Sequence, residues 1–297
     1  MIKSPGGVAG TSGLTIMSRV RAARWGILVV GTMAYLLCEH ARAESKLDAT
    51  YVISFARIHV GDITATVVVR NSEYSISARG RAGGVMKKLM DGEGEFTTEG
   101  RIRAGHPTPT NFTSKVVSNS EASDVKMVLE DAVVKELAAT PPPGSNRVPV
   151  TEANRQAIID PLTAMLFSTV AGAEVLSQDA CRHTLPVFDG HQRYDLKLAF
   201  KRMDKVIAEK GYAGPVAVCA LRYEPIAGHN ASAALVRYLA EGREMEIALA
   251  PISGTRLLAP FRMSVTSILA NVVIEANRFE ATGQPVDSSP ASDPKRE

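Results

Sequence analysis

The stretch "VFDGHQRYDL", residues 187–196, decides how this chain is built. It crowds Asp189, His191, Arg193 and Asp195 into seven positions. Such crowding marks either a catalytic or metal-binding constellation or a turn between two strands. Asp-Gly is the strongest short hairpin signal, because a two-residue mirror-image turn needs positive φ at both central residues. With Asp189–Gly190 as that turn, the expected register sets Leu185 opposite Tyr194, His183 opposite Leu196 and Cys181 opposite Leu198. Beyond the turn, Tyr194, Leu196, Leu198 and Phe200 point one way, while Arg193, Asp195, Lys197 and Lys201 point the other. That alternation predicts a strand with one wet face. Turn chemistry then accounts for Asp189 and Gly190, and solvent for Arg193 and Asp195. A metal site made from His183, Asp189 and His191 would need ligands converging within about 2.0–2.2 Å of one point. The register argues against it, since it holds His183 on the buried face, well away from the loop.

The same alternation extends through most of the chain. "TYVISFARIHVGDITATVVVRNSEYSISARG", residues 50–80, predicts three strands. Gly61–Asp62 is the expected first turn, with Ile58 opposite Ala65. Asn71–Ser72 is the second, pairing Val69 with Tyr74 and Val67 with Ile76. "FTTEGRIRAG", "NFTSKVVSNS" and "DVKMVLEDAVVKEL" continue as strands. "GGVMKKLMDG" between them offers Met86 and Leu89 as adaptable apolar side chains, for a plug on the sheet or a flap over a cavity. "TPPPGS", residues 140–145, ends the first β region. Two short helices are expected next, broken at Asp160–Pro161. There the Asp caps a helix and Pro fills its first position. Leu162, Met165, Leu166 and Thr169 would share the core-facing side. A second β region then runs from Cys181 to Thr282.

The ends of the chain read differently. Arg19, Arg21 and Arg24 precede the apolar run Trp25–Leu37, and Ala41 and Ala43 follow in an A-x-A pattern. This predicts a secretory signal peptide over residues 1–43, with periplasmic export and a cut after Ala43. The run is short for a bilayer span, so no integral membrane span is expected in the mature chain. Removing residues 1–43 takes five basic groups and one acidic group from totals of 34 and 31, leaving 29 and 30. Such balance gives no electrostatic footprint for nucleic acid. Residues 282–297, rich in Pro, Ser and Asp, predict a disordered tail. Residues 44–281 would form a single β-rich domain.

Two cysteines remain after processing, Cys181 and Cys219. An oxidising compartment makes a disulfide between them the expectation. The meander register resists it, because it holds the two about 9.5 Å apart, whereas a disulfide tolerates about 7 Å between Cα atoms. The compartment argument is the stronger. Catalytic signatures are lacking: there is no G-x-S-x-G, H-E-x-x-H or G-x-x-x-x-G-K-[ST] in the sequence. His59, His106, His183, His191 and His229 are scattered, and no catalytic residue, metal ligand or cofactor is assigned.

"GDITATVVV…YSISARG", "DPLTAMLF", "LPVFDGHQRYDL", "CALRYEPIAGH" and "LAPISGTRLLAPFRMSV" resemble, in that order, the bacterial family called domain of unknown function 3108. The resemblance covers most of residues 50–280 and implies an exported envelope protein. A more distant likeness, to periplasmic lipoprotein carriers, implies a curved, incompletely closed antiparallel sheet plugged by helices. The expected fold is therefore α+β and β-dominated, an incomplete barrel with Leu162, Met165 and Leu166 on its concave face. The expected function is non-catalytic binding of a lipid or other hydrophobic ligand, or of an envelope protein. A hydrolase acting on envelope glycan or lipid, and a purely structural module, are the alternatives. A convergent cluster of two carboxylates, or a Ser–His pair, in the folded cavity would favour the hydrolase.

Overall fold

Alternating residues give long strands here because one face of each is apolar and the other wet. A computed structural model describes residues 44–84, 92–119, 121–169, 174–241, 244–266 and 271–283. The predicted signal segment, Met86, Leu89 and residues 284–297 of the predicted tail lie outside the described residues, while Thr282 of that tail ends the last strand. The first β region holds β1 (Glu44–Phe55), β2 (Ile58–Arg70), β3 (Glu73–Ala82), β4 (Gly92–Arg103), β5 (His106–Ser118), β6 (Glu121–Glu130) and β7 (Val133–Thr140). A linker with a two-residue strand, β8 (Phe167–Ser168), follows. The second region holds β9 (Thr184–Phe188), β10 (Arg193–Ile207), β11 (Lys210–Gly211) and β12 (Ala213–Ala227). After helix α1 (Ala234–Ala240) come β13 (Met245–Pro251), β14 (Leu257–Val265) and β15 (Val272–Thr282).

All belong to one sheet, in the order β7-β6-β5-β4-β3-β2-β1-β15-β14-β13-β12-β10-β9, with β8 added to β14 and β11 to β15. The two meanders join at the centre, where β1 pairs antiparallel with β15. The two edges, β7 and β9, share no ladder. The linker sews them together instead. Ile158 N–H donates to Ala132 C=O at the β6–β7 turn, Ile159 N–H donates to Pro186 C=O, and Phe188 N–H donates to Ile159 C=O. Side chains complete the seam, since Phe112, Val125 and Met127 pack with Ile158 and Phe188 from its other side. The result is the expected curved antiparallel sheet, incompletely closed.

Several expectations are corrected. The β1–β2 turn lies at Ala56–Arg57, both at positive φ, and not at Gly61–Asp62. Gly61 instead pairs with Ile53 beside a bulge, and a Cβ there would lie 2.7 Å from Arg81 O. Glycine inside the strand thus marks a bulge and a close backbone approach. The Asn71–Ser72 turn and its pairs, Val69 with Tyr74 and Val67 with Ile76, are as expected. "DVKMVLEDAVVKEL" spans a whole hairpin, turning at Asp131–Ala132. The two predicted helices are reduced to 3₁₀ turns, Glu152–Arg155 and Thr163–Met165, because the linker stretches to span the seam.

The deciding stretch is a hairpin with its register moved by two residues. Tyr194 pairs with Val187 and Leu196 with Leu185. The loop is four residues long because the Asp189 carboxylate accepts the N–H groups of His191 (2.8 Å) and Gln192 (2.6 Å). A shift by two preserves which face each side chain takes. Arg193 and Asp195 are not solvated as expected. They are mostly buried and paired with each other at 2.6 Å.

Candidate functional site

The linker carries the plug. Asp160 is fully buried. Its Oδ1 accepts the N–H groups of Leu162 (2.9 Å) and Thr163 (3.0 Å), the capping role read from Asp-Pro. Its Oδ2 accepts the hydroxyls of Thr163 (2.5 Å) and, from β4, Thr98 (2.9 Å). The Thr163 hydroxyl also meets Tyr74 Oη at 2.7 Å. Burial pushes the Asp160 carboxyl above its ordinary range, against the hydrogen bonds that favour its charged form. This network fixes the turn that presents Leu162, Met165 and Leu166 to the interior.

Between that turn and the sheet lies a cavity of about 290 Å³. Leu162, Met165 and Leu166 form one wall. Tyr51, Ile63 and Ile274 form part of the other, with room left by the small residues Ala65, Ala78 and Gly80. Tyr51 is a polar side chain here, and its hydroxyl already donates to Pro260 C=O at 2.8 Å. Arg262 borders the space, but its cross-strand neighbour is Glu275, one residue beyond the cavity-lining Ile274 and so on the outer face. The cavity can therefore take hydrocarbon, and the described residues offer no partner there for a buried polar head. Thr169 leaves the predicted stripe, and its hydroxyl donates to Arg256 C=O.

A second space, a cleft of about 750 Å³, lies at the opposite end of the sheet, among the β2–β3, β4–β5 and β13–β14 turns. Val69, Ile102 and Leu257 floor it. Ser168 Oγ and His106 Nδ1 meet there at 2.9 Å. His183 also lines the cleft, edge-on to Phe167, and its Nε2 is buried with no hydrogen-bond partner among the described residues. Desolvation, then the neighbouring His106, lowers the pKa of His183. Sequence reading missed this cluster because His106 and Ser168 are 62 residues apart and meet only where β8, paired with β14, reaches the start of β5. Asp179, which also borders the cleft, pairs with Arg182 at 3.3 Å. His183, Asp189 and His191 do not meet at one point: His183 borders this cleft, whereas Asp189 and His191 share the β9–β10 turn. Among the described residues no three His, Cys, Asp or Glu side chains are grouped to hold a metal.

Cys181 and Cys219 are bonded, with Cα atoms 5.4 Å apart. The predicted obstacle disappears because Cys181 is not in a strand. It ends the 3₁₀ turn Gln178–Cys181, which joins Cys219, Phe167 and Leu198 in a buried cluster.

An open, curved antiparallel sheet with an internal plug and an apolar interior defines a β-barrel-like class of protein. Within that class, the chain belongs to the family described as "Protein of unknown function (DUF3108)", whose model matches residues 50–275. It is also similar to a solved structure, the "Beta-barrel-like Protein of Domain of Unknown Function DUF1849 from Brucella abortus". That similarity has 11% identity, covers 81% of this chain and 98% of that one, and has a TM-score of 0.42. No curated protein matches the chain. No helix among the described residues is long and apolar enough to cross a membrane.

Proposed function

We propose that this protein is an exported, periplasmic, non-catalytic binder that holds a hydrophobic ligand inside its curved sheet. One observation carries the reading: a preformed cavity, lined almost wholly by apolar side chains, lies between the sheet and a plug held by a buried hydrogen-bond network. Ligand sites are typically concave, apolar and largely preformed. A dry apolar void left empty forfeits packing contacts that a ligand would restore. The Cys181–Cys219 bond supports an oxidising compartment.

Native mass spectrometry of protein purified from the periplasm tests this. Co-purified lipid or acyl chain is the expected result. A Gly80→Leu variant should lose it, since a Cβ at Gly80 meets nothing closer than 3.7 Å and the longer side chain would fill the cavity. A ligand-free mass for the parent protein, with no uptake of added fatty acid, overturns the reading.

The Ser168–His106 pair favours a second reading, hydrolysis of an acyl ester in the cleft. Ser168 Oγ would attack the ester carbonyl while His106 takes its proton and passes it to the leaving alcohol. Water would then release the acyl group. Labelling by a fluorophosphonate probe, abolished in Ser168→Ala, would establish it. An unlabelled parent protein removes it.

A further inference from the structure

The β1–β2 hairpin tip carries two large apolar side chains in an unusual position. Phe55 is 47% and Ile58 53% exposed, yet the register directs both inward. Strand β1 alternates without an inserted residue, so Tyr51, Ile53 and Phe55 share a face. Tyr51 lines the cavity. Phe55 pairs with Ile58 on one side and Val272 on the other, and Ile53 pairs with Gly61 and Ile274. The tip is fastened to the neighbouring strand by Ala56 N–H donating to Asn271 C=O at 3.1 Å. An apolar ladder therefore climbs from the cavity wall at Ile63 and Ile274, through Ile53 and Val272, to Phe55 and Ile58 at the rim.

Toward the Ser168 cleft the interior continues as core, where Tyr74, bonded to Thr163, is buried in one cluster with Leu166 and Phe279. Among the described residues the interior offers no free polar partner, and an unpaired buried head group is strongly disfavoured. The volume is also at the small end of ligand pockets, which run from roughly 300 to 1,000 Å³.

Resting on the reading of the interior as the ligand site, we propose that the ligand is a single-chain amphiphile that enters tail-first over Phe55 and Ile58. Its terminal methyl lies against Tyr51 and Leu162, and its polar head stays in water at the rim. One chain fills the site, so a two-chain lipid contributes one of its chains.

Two photoactivatable fatty acids test this, one with a diazirine near the terminal methyl and one with it near the carboxyl. Each is bound to the whole protein, irradiated, and the labelled residues are mapped by mass spectrometry. The methyl-end probe should label residues around Tyr51, Ile63 and Leu162, and the carboxyl-end probe those around Phe55 and Ile58. The reverse pattern, or labelling confined to Val69 and Ile102 at the cleft, overturns the tail-first route while leaving a ligand site standing. No displaceable labelling by either probe overturns the interior site itself. Phe55→Ser combined with Ile58→Ser changes exposed residues only. It should slow fatty-acid association about tenfold, the effect of roughly 1.4 kcal/mol. An unchanged rate counts against the rim as the entry.

Discussion

Asp160 shows how one residue can hold a ligand site without touching a ligand. Its carboxyl collects four donors, from Leu162, Thr163 and Thr98, in a place that water does not reach. Burial raises its pKa, so the folded state binds a proton more readily than the unfolded one. The associated stability is complete below the ordinary carboxylate range and is lost as pH rises through the raised value. Asp160→Asn should keep the cap, with the Thr98 and Thr163 hydroxyls turning to accept from its amide. Thr98 already lies within reach of Asn111 C=O, at 2.9 Å, as an alternative acceptor for its proton. Urea unfolding across pH 4–8 should therefore show a flatter pH profile for Asp160→Asn than for the parent. Asp160→Ala should lose about 3 kcal/mol, because buried donors are left unpaired. A parent-like slope in the Asn variant would mean that another group sets the pH dependence.

At the scale of elements, the hairpins were readable and their turns less so. Faces follow from a period of two, which sequence states directly. Registers depend on turn length, and that depends on side-chain bonds. Asn71–Ser72 is legible as a turn because Asn tolerates positive φ and Ser favours turns through its hydroxyl. Ala56–Arg57 adopts the same conformation with no such signal, whereas Gly61, a turn residue by type, makes a close approach to β3. At Asp189 the side chain bonds two backbone N–H groups and lengthens the loop, an outcome the Asp-Gly pair alone does not disclose. Leu162, Met165 and Leu166 are legible as an apolar stripe, whereas the Ser168–His106 pair is not, since it forms only where β8 reaches the start of β5. Gly190 has a role in the seam between the two edges. Its φ is +96°, and a Cβ there would lie 2.4 Å from a methyl group of Val125 on β6. Gly190→Ala should thus cost about 1–3 kcal/mol through backbone strain and overpacking. In a double-mutant cycle with Val125→Ala, the two substitutions should be non-additive, as expected of groups in contact. Additive effects would show that the hairpin tip and β6 are energetically independent.

At the scale of the whole molecule, chain order and sheet order disagree in an instructive way. The first and last strands, β1 and β15, are neighbours in the middle of the sheet, and Lys46 is the cross-strand partner of Thr282. The two halves of the sheet are joined by this ladder, while the covalent link between them, residues 141–183, runs around the seam. Part of the linker is indispensable, because Ile158 and Ile159 bond both edges and Asp160 fixes the plug. The exposed "PPPG" at 141–144 does neither. A circular permutant of residues 44–283, with new termini between Pro143 and Gly144 and a short flexible linker joining the old ones, should therefore fold. The loop to be closed is short, and loop length changes its entropy only slowly. Thermal unfolding of the permutant should be a single transition within a few degrees of the parent. Deleting Val272–Thr282 from the parent should abolish that transition, since it removes Phe279 from the core and separates the two meanders. If the deletion variant still melts cooperatively while the permutant does not fold, then the linker, and not the β1–β15 ladder, is what unites the two halves.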